Sequence, residues 1–132
     1  MFAKSFTLSA SVEPKIADVY IIAVPTPLVE NKEIFEPDIS HVLDVAKEIC
    51  PLLKKGNMII LESTSPIGTT KKILEIFKQR TNVSESIFVA YCPERVIPGN
   101  IISELVNNDR VVGGVNKEST RIVADFYIRN SK

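Results

Sequence analysis

Apolar residues along this chain recur with two alternating periods. Residues 17–24 form a short run rich in Val and Ile that stops at Pro25-Thr26-Pro27, the pattern of a buried strand opening into a loop. Ile39, Val42, Leu43, Ala46, Ile49, Leu52 and Leu53 then recur at helical spacing. Pro37-Asp38 supplies the N-terminal signal of that helix and Lys54-Lys55-Gly56 its stop, which predicts one apolar face about four turns long. Met58–Leu61 predicts a second strand, residues 63–68 the loop behind it, and Ile73, Leu74 and Phe77 the inner face of a second helix. Residues 87–91 predict a third strand that ends at Cys92-Pro93-Glu94. Residues 110–112 read as a short fourth strand before Gly113-Gly114, and residues 117–128 as a last helix. Residues 1–14 show neither period and are expected to be irregular.

Nearly all-apolar strands separated by helices describe an α/β fold, because parallel strands need crossover connections and are buried on both faces by the helices in those connections. With 132 residues and no internal repeat, the chain is expected to form one domain over residues 1–132. Ligands of such sheets gather beyond the carboxyl ends of the strands. Pro25-Thr26-Pro27, residues 63–66 and Cys92-Pro93-Glu94 lie at three such ends, and chemistry is sought there.

Charge and composition narrow the partners. Sixteen basic and sixteen acidic side chains cancel, so no net field draws the chain onto nucleic acid or an anionic membrane. Apolar stretches such as residues 19–25 and 58–61 fall far short of the roughly 20 residues that span a bilayer. Residues 1–12 hold one lysine and no apolar segment of signal-peptide length, so a cytoplasmic protein is expected. Cys50 and Cys92 form no Cys-x-x-Cys pair and His41 is the single histidine; no metal site is expected, and both cysteines read as small buried hydrophobes.

Each loop has a structural and a functional reading. Two prolines hold Thr26 in extended backbone and present its hydroxyl, although a stiff loop with Thr26 merely exposed explains the same tetrapeptide. Glu62-Ser63-Thr64-Ser65-Pro66-Ile67-Gly68-Thr69-Thr70 lines a strand end with hydroxyls and opens a helix, where Thr64 or Ser65 is a candidate cap as well as a candidate ligand contact. Tyr91-Cys92-Pro93-Glu94-Arg95-Val96-Ile97-Pro98-Gly99-Asn100 offers a carboxylate suited to general-base work and a guanidinium that can grip a phosphate. A Glu94–Arg95 pair on a solvated turn is its structural reading. Cys92 has no histidine near it in sequence and only Arg95 to lower its thiol pKa, which argues against a nucleophile.

Taken in order, the run from Ala17 to Pro27, then Glu36-Pro37-Asp38, Glu62 to Thr70, Tyr91 to Gly99 and Asp109-Arg110-Val111-Val112-Gly113-Gly114 resemble the UDP-glucose/GDP-mannose dehydrogenase family over roughly residues 12–128. The resemblance implies a Rossmann-like parallel sheet flanked by helices and an NAD-dependent, two-step oxidation of a UDP-sugar C6 alcohol to a uronic acid for polysaccharide biosynthesis. It implies that Thr26 and Thr64 line the dinucleotide site and that Thr64 helps hold a catalytic water. By the same resemblance, Glu94 acts as general base in hydrolysis of a cysteine-bound thioester, and Arg95 and Val96 meet the sugar nucleotide. The Tyr-Cys-Pro-Glu-Arg-Val form is similar to the branch acting on UDP-N-acetylmannosamine, with UDP-N-acetylglucosamine or a galactosamine relative as the open alternatives, and Pro98 stands where the UDP-glucose branch carries a second glutamate.

The departures carry equal weight. No Gly-x-Gly-x-x-Gly run occurs among the five glycines, so the resemblance implies an incomplete sheet whose first β-α-β unit, with its phosphate loop, is missing. The family's catalytic lysine and asparagine and its Gly-x-Cys nucleophile motif have no counterpart here, and Cys92 does not replace that cysteine; the chain alone is expected to be inactive. Removing the first strand leaves the 17–24 strand as an apolar edge, and homo-oligomers are expected from it. The alternative is a stand-alone Rossmann-like interaction module without catalysis. A hydroxyacid or 6-phosphogluconate type of dehydrogenase fits the fold but not residues 92–99.

Overall fold

Met58–Leu61 forms the strand its apolar run predicts and lies inside the sheet, with Ile59 and Ile60 fully buried on its two opposite faces. The computed structural model describes residues 7–29, 36–96, 99 and 101–130. Its strands are β1 (Val19–Ile22), β2 (Met58–Leu61), β3 (Phe88–Tyr91) and β4 (Gly113–Gly114), in the spatial order β1-β2-β3-β4. Helices α1 (Ser40–Ile49) and α2 (Thr69–Arg80) make the crossovers between the parallel pairs, α3 (Ile101–Asn107) precedes β4, and α4 (Lys117–Asn130) follows it. Val19 pairs with Met58 and Met58 with Phe88, so the carboxyl ends of β1, β2 and β3 fall level at Ile22, Leu61 and Tyr91.

Two cores follow from the pleat. On one face Tyr20, Ile22, Ile59, Leu61 and Val89 pack against Val42, Ala46 and Ile49 of α1 and Ile73 and Phe77 of α2. On the other, Ile60, Ala90 and Cys92 pack against Val123 of α4, with Phe126 and Tyr127 alongside. Side chains of this size each contribute about 1.5–3 kcal/mol on burial. Among the described residues β1 has β2 as its strand neighbour, and because helix α4 lies against β3 and β4, Ile21 of β1 stays 48% exposed. Asn57 anchors the start of β2: its side-chain amide donates to Ala17 O at 3.1 Å and its carbonyl accepts the Lys54 N–H at 2.7 Å.

The α/β Rossmann-like expectation holds, with local differences. The fourth strand is not residues 110–112 but Gly113–Gly114, and it runs antiparallel to β3, with Tyr91 opposite Gly113. The sheet is therefore mixed. Helix α3 lacks a clear apolar period in the sequence and was not expected. Helix α1 ends at Ile49 because Pro51 has no N–H to donate, and the chain continues as one 3-10 turn, Cys50–Leu52. Of the segment expected to be irregular, residues 1–6 lie outside the described residues, and residues 7–14 form no helix or strand. Both cysteines are buried and unpaired, as expected of small hydrophobes, and no helix of the described residues is long and apolar enough to cross a membrane.

Candidate functional site

At the carboxyl edge of β1 the chain leaves through Pro25-Thr26-Pro27 and is tied down on both sides of the threonine. Ser63 Oγ donates to Val24 O at 2.7 Å, and Thr26 Oγ1 donates to Thr64 O at 2.7 Å. Beyond Thr26, Asp38 N–H donates to Pro27 O and Val29 N–H to Glu36 O, closing a loop whose residues 30–35 lie outside the described residues. Thr26 and Thr64, expected to share one site, are thus in direct contact across 38 positions of sequence.

Neither Thr64 nor Ser65 caps α2, contrary to one reading of that loop. Ser65 Oγ instead donates to Ser63 O at 3.0 Å, and the Ser65 N–H donates to the Tyr91 hydroxyl at 3.3 Å, which stitches the β2 loop to the end of β3. The chain enters α2 through Gly68 at φ +93°, after which Thr69 Oγ1 donates back to Pro66 O at 2.8 Å. A left-handed residue before the helix turns the β2 loop away from the helix start.

At the end of β3, Cys92 N–H donates to Leu61 O at 2.9 Å and Glu94 N–H to Glu62 O at 3.5 Å, so the motif loop extends the sheet pairing past the strand. The expected Glu94–Arg95 pair takes a different form. Glu94 Oε1 accepts the backbone N–H of Arg95 at 2.9 Å, whereas the guanidinium facing Oε2 is that of Arg110, with Nη1 at 4.0 Å. Asn108 Nδ2 donates to Arg95 O at 2.9 Å. Val96 is half-buried beside them, and Ile97, Pro98 and Asn100 of the same motif lie outside the described residues. Pro93, Glu94, Arg95, Asn108, Asp109 and Arg110 line a small cleft. Thr64 and Glu94 are not hydrogen-bonded to each other; they stand on neighbouring strand ends.

Sequence reasoning gave no role to three residues behind Glu94. Arg110 Nη1 also lies 3.6 Å from Glu62 Oε1, its guanidinium sits 4.7 Å from the centre of the Tyr127 ring, and the Tyr127 hydroxyl donates to Glu62 Oε1 at 2.5 Å. Burial, then the bond to Glu62 and the neighbouring Cys92, push the Tyr127 phenol well above its usual range. Burial pulls the Arg110 pKa down, but contacts with Cys92, Tyr127 and Glu62 outweigh it and raise it. Glu62 and Arg110 stood inside the quoted motifs; Tyr127 lies in an amphipathic helix and carried no sequence signal of its own.

The donor set at the β1 and β2 ends consists of hydroxyls and carbonyls, which suits the uncharged parts of a dinucleotide, a ribose or a carboxamide. A diphosphate calls for a glycine nest or a cation, and the Thr26–Thr64 edge offers neither among its described hydrogen bonds. No group of three or more His, Cys, Asp or Glu residues is placed to hold a metal among the described residues.

Parallel strands with polar loops at one carboxyl edge define a Rossmann-like α/β sheet, whose ligands gather beyond those strand ends. The chain belongs to the UDP-glucose/GDP-mannose dehydrogenase family, whose NAD binding domain matches residues 3–130. The family is one of NAD-dependent oxidoreductases, and NAD is the cofactor of this domain. The chain is 47% identical over 123 residues to the UDP-N-acetyl-D-mannosamine dehydrogenase of Methanococcus aeolicus, covering 93% of this chain and 28% of that protein. It is 41% identical over 129 residues to the NDP-N-acetyl-D-galactosaminuronic acid dehydrogenase of Ralstonia nicotianae, covering 91% and 30%. The solved UDP-N-acetyl-mannosamine dehydrogenase of Staphylococcus aureus superposes with a TM-score of 0.76 at 41% identity, over 92% of this chain and 29% of that one. The chain thus spans less than a third of the length of these relatives.

Proposed function

We propose that this chain is the NAD-contacting part of a nucleotide-sugar dehydrogenase that oxidises the C6 alcohol of UDP-N-acetylmannosamine to the uronic acid, for polysaccharide synthesis in the cytoplasm. The observation that carries the reading is the Thr26–Thr64 hydrogen bond, which brings two hydroxyl loops together beside the Glu94 loop at one sheet edge. Thr26 and Thr64 contact the uncharged part of the dinucleotide, and Thr64 helps hold water. NAD, when bound, accepts the hydride that each oxidation removes from C6. Glu94 takes the proton of the water that attacks a thioester carbonyl, releasing the acid and a thiol; the thiol belongs to a cysteine other than Cys92, which is fully buried. Arg95 and Val96 meet the sugar nucleotide, the arginine through its phosphates. The identities of 47% and 43% to UDP-N-acetyl-D-mannosamine dehydrogenases favour that sugar, and two unpaired cysteines suit a reducing compartment. The chain alone lacks the nucleophile and is inactive; the open edge of β1 makes it self-associate.

Titration of the isotopically labelled chain tests the assignments residue by residue. Millimolar-range NAD shifts the amide signals of Thr26 and Thr64, UDP-N-acetylmannosamine shifts those of Arg95 and Val96, and no NADH forms with both present. A folded sample in which neither ligand moves these signals overturns the assignments.

A further inference from the structure

Glu94 is 39% exposed at its side chain, and a glutamate so placed ordinarily samples several rotamers. Here both carboxylate oxygens are engaged, Oε1 by the Arg95 N–H at 2.9 Å and Oε2 facing Arg110 Nη1 at 4.0 Å. The geometry points to Arg110 as the positioning residue that fixes Glu94, with Glu62 and Tyr127 fixing Arg110 in turn.

Arg110 reaches the site from between α3 and β4. Its Nη1 faces two carboxylates at once, Glu62 Oε1 at 3.6 Å and Glu94 Oε2 at 4.0 Å. Glu62 is held by the Tyr127 hydroxyl at 2.5 Å, and the Tyr127 ring, 4.7 Å from the guanidinium carbon, covers one of its faces. Fully buried Cys92 lies against the same pair and begins the loop that carries Glu94. The final helix, the β2 end and the motif loop are therefore joined through one side chain. The benefit to chemistry rests on the proposed function: a base held in one orientation keeps hydrogen-bond reach of its water.

Cys92 reports on the clamp and Cys50 serves as an internal control, since both are buried and unpaired but Cys50 lies in the opposite core. The experiment is native-state alkylation of the 132-residue chain with iodoacetamide, each cysteine followed by mass spectrometry. Arg110→Gln raises the Cys92 rate about tenfold or more and leaves Cys50 unchanged, and Arg110→Lys recovers part of the protection. In the 15N spectrum, Glu94→Gln displaces the Arg95 amide signal, and Arg110→Gln displaces it the same way. An unchanged Cys92 rate, a parallel rise at both cysteines, or an unmoved Arg95 amide in Arg110→Gln overturns the proposal. Should Arg110→Gln fail to fold, Tyr127→Phe is read by the same criteria. Failure of the ligand titration removes the role given to Glu94 and leaves the clamp standing, whereas failure here leaves the dinucleotide assignments standing.

Discussion

The Tyr127 hydroxyl donates to Glu62 Oε1 at 2.5 Å across 65 positions of sequence, tying the last helix to the carboxyl end of the central strand β2. Removing the hydroxyl leaves a half-buried carboxylate without that donor. Tyr127→Phe should cost about 1–2 kcal/mol, the range of a bond to a charged group reduced for partial exposure, and urea denaturation at neutral pH measures it.

The same contact sets an alkaline limit. Burial and the Glu62 bond raise the folded-state pKa of Tyr127 above its unfolded value. A raised pKa means that its stabilising contribution is complete below the unfolded value, about pH 10, and is lost as pH rises toward the folded one. From about pH 10 upward the wild-type chain should therefore lose stability more steeply than Tyr127→Phe. Parallel curves would mean that the phenol does not titrate against the fold.

Gly113 and Gly114 make a controlled pair. A Cβ on Gly114 would lie 2.3 Å from Thr120 N and 2.8 Å from Asn116 O, all backbone at the start of α4, whereas one on Gly113 meets nothing within 4 Å. Gly114→Ala has to push α4 off the sheet and should cost about 2–3 kcal/mol, against less than about 0.5 for Gly113→Ala. Thermal unfolding of the two variants side by side decides it.

That helix seat also marks the boundary of what could be read from sequence. Apolar periodicity located β2, the apolar faces of α1 and α2, and the level strand ends, because those elements bury a face and burial writes a period. The direction of β4 was not legible, because a two-residue strand has no period. At the site, the positions of the Thr26 and Thr64 loops at strand ends were legible in the sequence, but the hydrogen bond between them was not. Nor was the partner of Glu94, because Arg110 and Arg95 are equally plausible in sequence and only the fold brings Arg110 against both carboxylates.

Gly68 tests the reading of the second loop. It adopts φ +93° with open space where a Cβ would stand, so the penalty of Gly68→Ala is backbone strain alone, about 1–2 kcal/mol. A cap by Thr64 or Ser65 would instead have made those hydroxyls the sensitive positions. Ser65→Ala should change stability by less than about 0.5 kcal/mol, since its Oγ bonds only a loop carbonyl.

Self-association should follow from β1. It lies at the end of the strand order, and Ile21 is 48% exposed while Ile22, its neighbour in sequence, is buried. An apolar edge of this kind is a template for another strand, and charged edge residues are how natural sheets avoid that pairing. Light scattering across the micromolar range should show dimers or larger species for the wild-type chain. Ile21→Lys should shift it toward monomer with little loss of stability, because an exposed position tolerates a charge. A monodisperse monomer in the wild type would overturn self-association and mean that the edge is already protected.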